Sequence, residues 1–150
     1  MADTLKEILL DSSRRPAVVT DLQTLIDEEV DGKSGVSGTV IKTGYSAVKK
    51  IKPGIIGSAV DSLLDDFAAA LEPIYADFKA SGSADFGSYL PTRADEASDA
   101  LLSVTDARAE KSSRDSIKKV YSKLRPKGKE NVEEALPRLG KLIDKHAASA

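Results

Sequence analysis

The sequence predicts an all-α fold: one compact multi-helix bundle of six to eight helices, with proline-bent long helices, forming a single domain over residues 1–150. Three observations carry this. Apolar residues recur at spacings of three and four through almost every segment. No run of four or more residues alternates apolar and polar in the manner of a half-buried strand. Short turns built on glycine, proline and serine separate the periodic segments, and neither an internal repeat nor a low-complexity linker divides the chain. Leu, Ile, Val and Phe make up 37 of the 150 residues, enough apolar material to argue against intrinsic disorder. A chain of this length buries about 68–70% of the surface its unfolded form exposes, so its core needs neither metal nor disulfide.

Thr4-Leu5-Lys6-Glu7 fits a capping box and starts a short first helix that ends around Asp11-Ser12-Ser13. Pro16, a favoured first helical residue, opens the second, which aligns Val18, Val19, Leu22, Leu25, Ile26 and Val30 until Gly32 stops it. Gly32 to Gly38 is the clearest loop. The third helix carries Val40, Ile41, Tyr45, Val48 and Ile51 in one stripe, with Gly44 inside it. Glycine there costs a helix about 1 kcal/mol relative to alanine, which predicts a close crossing with another helix. After Lys52-Pro53-Gly54, the apolar positions from Ile55 to Phe78 stay within half of the helix circumference. They predict one long helix bent at Pro73, with a break at Asp65-Asp66 as the alternative. Ser81-Gly82-Ser83 makes the next turn, and Phe86, Leu90, Ala94, Ala97, Leu101 and Val104 then continue in phase across Pro91. Ser112-Ser113 caps a helix with Ile117, Val120, Tyr121 and Leu124 on one side, and Arg125-Pro126-Lys127-Gly128 forms a basic turn. Val132, Ala135, Leu136, Leu139, Ile143 and His146 mark the last helix.

Most familiar chemistry lacks its residues here. Cysteine is absent, which removes disulfides, thiolate nucleophiles and Cys-based zinc or iron–sulfur sites together. Asp31-Gly32-Lys33-Ser34 ends like a phosphate-binding loop, but Asp27 stands where that motif needs glycine, and a helix rather than a strand precedes it. Asp61 with Asp65, and Asp95 with Asp99, have the one-turn spacing of an all-carboxylate Mg²⁺ site, although solvated faces account for them more simply. His146, the sole histidine, reads as a packing residue: no Glu-x-x-His pair and no nucleophile elbow accompanies it. No catalytic residue, cofactor or metal is therefore assigned. No segment approaches the roughly 20 apolar residues of a membrane span, and Leu5 to Leu10 lacks the pattern of a secretion signal. A cytoplasmic protein without a membrane partner is expected.

Charge is the feature that stands out. The 22 basic and 24 acidic residues nearly cancel, yet residues 1–110 carry a net −8 and residues 111–150 a net +6. Eight basic residues lie between Lys111 and Lys129 with Asp115 as the only acid, whereas residues 16–31 hold five acids and no base. On a helix, Arg114, Lys118, Tyr121 and Arg125 form one longitudinal row, which Lys127 and Lys129 extend. Cations flanking an aromatic ring can hold phosphates by charge and a base by stacking. The same pattern arises when a surface helix wets its outer face, when it lies beside the acidic helix 16–31, or when the two patches meet in a homodimer.

Ser12-Ser13-Arg14-Arg15-Pro16-Ala17-Val18-Val19, Ala69-Ala70-Leu71-Glu72-Pro73 and Ala135-Leu136-Pro137-Arg138-Leu139 occur in that order. With them the chain resembles, over nearly its whole length, an uncharacterised family of short actinobacterial helical proteins. The resemblance implies a bacterial cytoplasmic setting and assigns no active-site residue. The leading expectation is a non-enzymatic helical binding or scaffold protein acting through charged surfaces, with a protein partner or self-association ahead of nucleic acid. One alternative is nucleic-acid or polyanion binding through residues 111–129, contacted by Arg114, Lys118, Tyr121, Arg125, Lys127 and Lys129. The other is a small-ligand carrier or enzyme whose apolar cavity has Asp61 and Asp65 at its mouth.

Overall fold

The computed structural model describes residues 4–33 and 35–149, without the side chains of Val36, Ser37 and Ser149. These residues form α1 (Leu5–Leu9), α2 (Arg15–Asp31), α3 (Gly35–Ile51), α4 (Ile55–Ser81), α5 (Phe86–Tyr89), α6 (Ala94–Glu110), α7 (Asp115–Leu124) and α8 (Gly128–Ser149). Short 3₁₀ turns, Leu90–Arg93 and Arg125–Lys127, join α5 to α6 and α7 to α8. Six of the helices run for ten residues or more and no strand occurs among the described residues, in line with the predicted all-α class.

The core is built around α4. Its Leu64, Leu71, Ile74, Tyr75 and Phe78 meet Leu5 and Ile8 of α1, Val18 of α2, Phe86 of α5, Ala97 of α6, and Leu136 and Ile143 of α8. Because the apolar stripe never changes side, α4 passes unbroken through Asp65-Asp66 and through Pro73, all of which are exposed. α1 is far too short to be helical alone, and three kinds of contact hold it. Leu5, Ile8 and Leu9 are buried. At its start the Glu7 N–H donates to Thr4 Oγ1 at 3.2 Å and the Leu5 N–H donates to Glu72 Oε1 of α4 at 2.9 Å. At its end the Arg14 guanidinium donates to the Ile8 carbonyl at 2.9 Å and to that of Glu7 at 2.5 Å, serving two orphan acceptors.

Several boundaries depart from the sequence expectation. α3 begins at Gly35, inside the predicted loop. The interruption expected at Pro91 is a full division, since proline lacks an N–H and crowds the carbonyl four residues back; the chain tightens into a 3₁₀ turn there before α6 starts. Pro126 does the same in the expected basic turn, and α8 starts immediately after it. Ser112 does not cap α7: its hydroxyl accepts the Arg114 N–H at 3.2 Å, and Arg114 is the capping position.

α3 and α7 make a lateral pair outside the core. α7 has no buried residue, and of α3's described residues only Gly38 is buried. They cross at Gly44, where a Cβ would lie 2.9 Å from Leu124 Cδ2. The glycine inside the α3 stripe thus marks the close crossing the sequence predicts.

Candidate functional site

α7 is strongly amphipathic. Ile117, Val120, Tyr121 and Leu124 are half-buried against α3 and α6, and Lys118, Lys119 and Lys123 are exposed on the opposite side. The six residues read as one cationic row divide into two sets. Tyr121 is half-buried, its hydroxyl donating to Asp106 and lying 2.8 Å from Thr105 Oγ1. Arg125 grips the same Asp106 with Nε at 2.8 Å and Nη2 at 3.1 Å. Arg125 first, and Tyr121 second, hold the Asp106 carboxyl below its ordinary range, while burial and Asp106 push the Tyr121 phenol up. Lys129 binds Asp95 and, at 3.0 Å, Asp99. Arg114, Lys118 and Lys127, by contrast, are exposed and have no carboxylate partner among the described residues. The Tyr121 ring is therefore half-buried with its hydroxyl engaged, and two of the five expected cations are neutralised by α6.

Asp95, Asp99 and Asp106 are spaced by four and seven residues. That is one stripe along α6, and it is the sequence signal that would have identified this internal partner. A second signal lay in the third helix. Residues 35–54 contain Lys42, Lys49, Lys50 and Lys52 and no acid, and residues 111–127 contain seven cations and only Asp115. Since α3 lies against α7, half of the chain's 22 cations gather in this lateral pair. Lys49 is the one drawn toward α2, 3.9 Å from Asp27 and 5.1 Å from the Tyr45 ring centre.

The carboxylate pairs with the spacing of a metal site already hold cations. Arg15 bridges Asp61 at 2.9 Å and Asp65 at 2.7 Å, as Lys129 bridges Asp95 and Asp99. The acidic α2 lies against α8 and α3 rather than α7. Its Glu28 pairs with Arg138 at 3.1 Å, and its Glu29 faces Lys33 at 3.7 Å. Lys33, the lysine of the Gly-Lys-Ser triplet, also binds Glu134; Ser34 lies outside the described residues.

Asp21 of α2 accepts from Lys145 at 2.9 Å and sits 2.7 Å from Nε2 of His146, which is 5% exposed. His146 is thus a packed residue, as its place on the helix suggests. Lys145 first, then His146, hold the Asp21 carboxyl below its reference value of 3.8 despite opposing burial. A depressed carboxyl contributes stability that is present above the unfolded value and is lost as pH falls through the folded one. Asp21→Asn is expected to lower stability by about 1 kcal/mol at neutral pH. The gap between variant and wild type should close below about pH 4 in urea melts; a gap that is constant with pH would show that the pair contributes nothing ionic.

The bundle interior contains an apolar cavity of about 200 Å³ between α2, α4, α6 and α8, where Thr105 is the only polar lining residue. Asp61 and Asp65 do not line it. The expected carboxylate mouth is absent from this cavity: both acids are exposed and paired with Arg15.

Among the described residues no helix is long and apolar enough to cross a membrane. No curated protein and no solved structure matches the chain. Residues 5–147, from the start of α1 to the last turn of α8, match the model of a family of unknown function, DUF6918, and the chain belongs to that family.

Proposed function

We propose that the protein is a non-enzymatic binding protein that uses the cationic outer face of α7, with the adjoining lysines of α3, to hold an acidic surface of another protein. One observation carries the reading: Arg114, Lys118, Lys119, Lys123 and Lys127 are all exposed without a carboxylate partner among the described residues, whereas Arg125 and Lys129 beside them are paired with carboxylates of α6. An uncompensated patch of one sign raises the local concentration of an oppositely charged partner and speeds encounter. The occupied hydroxyl and half-buried ring of Tyr121 favour a protein over single-stranded nucleic acid, which binds by stacking as well as charge. Self-association through α2 is disfavoured because α8 and α3 already engage Asp21, Asp27, Glu28 and Glu29. A bacterial cytoplasmic setting belongs to the same reading.

Fluorescence anisotropy with labelled poly-L-glutamate and a labelled single-stranded oligonucleotide tests it. Poly-L-glutamate is expected to bind, and to weaken by about tenfold or more between roughly 50 and 200 mM salt. Lys118→Gln, Lys119→Gln and Lys123→Gln together should remove most of that binding. Tighter binding of the oligonucleotide would move the function to nucleic acid, and no salt-dependent binding of either would end the proposal.

A further inference from the structure

A groove of about 490 Å³ opens between the α3–α4 junction and the α6–α7 junction. That is within the size range of small-molecule sites. Its floor is apolar: Val48, Ile55, Ile56, Leu63 and Ile117 line it and none is fully buried. This surface stays uncovered because α3 and α7 pack on each other at Gly44 and Leu124 without entering the core. The rim is cationic. Lys52, Arg108, Lys111 and Arg114 are exposed around it, and no carboxylate is among its lining residues.

The arginines single this groove out. Of seven in the chain, Arg14, Arg15, Arg93, Arg125 and Arg138 each hold a carboxylate. The two with no carboxylate partner among the described residues, Arg108 and Arg114, both line this groove. A guanidinium matches the two oxygens of a carboxylate with parallel donors, and a lysine adds charge beside it. Arg108 and Lys111 also line a more open depression between α4 and α6 that shares Leu63 with the groove and has Asp66 as its one carboxylate, so the two cations stand where an anionic head can remain in contact with water. Thr105 lines both the groove and the interior cavity, which places the groove's inner wall against apolar space.

We propose that this groove binds a free single-chain fatty-acid-type carboxylate, with its head at Arg108, Lys111 and Arg114 and its alkyl chain along Ile55, Ile56, Leu63 and Ile117. Charge complementarity selects an anion, and the half-exposed aliphatic floor selects a hydrocarbon chain. The site adjoins the outer face of α7 and shares Arg114 with it, but Lys118, Lys119 and Lys123 do not line it.

Calorimetric titration of the full chain with decanoate, decanol and acetate separates head from chain. Decanoate is expected to bind, and decanol and acetate to bind about tenfold more weakly or less, because each lacks one of the two recognition elements. Arg108→Ala with Lys111→Ala should weaken decanoate by roughly tenfold, and Ala59→Trp, which fills the floor, should remove binding. Lys6→Gln with Lys79→Gln, exposed cations away from the groove, should leave it unchanged. Far-ultraviolet circular dichroism establishes that each variant is folded. Equal binding of decanol and decanoate, or decanoate binding untouched by the Arg108 and Lys111 double variant, overturns the proposal. So does binding that survives Ala59→Trp but is lost in Ala135→Phe, which would place the chain in the interior cavity instead.

Discussion

Phe86→Ala is expected to lower the unfolding free energy by about 3–5 kcal/mol, the range for removing a fully buried aromatic ring. Phe86 is completely buried and stands at the centre of an aromatic cluster, with ring centroids 5.1 Å from Tyr75, 5.2 Å from Phe78 and 6.4 Å from Tyr89. Tyr75 and Phe78 belong to α4, whereas Phe86 and Tyr89 belong to α5, so the cluster is the apolar bond between the central helix and the shortest one. Four residues cannot sustain a helix by their own hydrogen bonds. α5 is therefore helical only while its ring is seated, and truncation removes the ring and the restraint on the element together. Against a total stability of about 5–15 kcal/mol for a domain, that is a large fraction. A fall in melting temperature of roughly 6–20 °C is the corresponding thermal result. Phe86→Leu should recover part of it by refilling the space. A shift below about 1 kcal/mol for Phe86→Ala would mean that α5 is not anchored through this ring.

The elements legible in the sequence were those whose determinants are local. α4 has an apolar stripe that keeps its phase for 27 residues, and neither Asp65-Asp66 nor Pro73 overrides it. Gly44 announced a crossing because a glycine in an apolar stripe gives up both helix propensity and a side chain to bury, a loss that close approach of a second helix offsets. The division at Pro91 was less legible, since the apolar phase survives a 3₁₀ turn even though the helix does not.

The candidate site was half legible for a different reason. A row such as Arg114, Lys118, Tyr121 and Arg125 is defined by spacing along one helix, but which of its members remain available depends on what another helix brings opposite. Asp106 and Asp99 arrive from α6 by tertiary packing, and they take Arg125 and Lys129 out of the row. The lysine-bearing α3 is brought against α7 by the same route, from a segment some seventy residues earlier. Net charge per segment identified a region worth testing; pairing across helices decided which side chains in it could still meet a partner.

Gly140→Ala is expected to destabilise the protein by about 2–4 kcal/mol, although alanine in a helix normally gains about 1 kcal/mol over glycine. The sign is decided at the contact between α8 and α5. A Cβ on Gly140 would lie 2.6 Å from Gly87 Cα, 2.7 Å from the Phe86 carbonyl oxygen and 2.9 Å from the Gly87 nitrogen. All three are backbone atoms, so no rotamer change relieves the overlap and the two helices must separate. Overpacking of this kind costs about 1–3 kcal/mol. Separation has a further consequence one turn along α8, where the Asp144 carboxylate accepts the Phe86 N–H at 3.0 Å and the Gly87 N–H at 2.9 Å. Those bonds serve the otherwise orphan donors at the start of α5, and hydrogen bonds to a charged group contribute about 1.5–3 kcal/mol each. Weakening them adds to the overlap, and the sum exceeds the propensity gain. Gly32→Ala is the internal control: its Cβ would meet nothing closer than 3.4 Å, and its urea midpoint should change by no more than about 0.5 kcal/mol equivalent. Because Gly140 and Phe86 both act through the seating of α5, combining Gly140→Ala with Phe86→Ala should cost less than the sum of the two. A Gly140→Ala variant as stable as wild type would show that α5 and α8 do not approach at these two glycines.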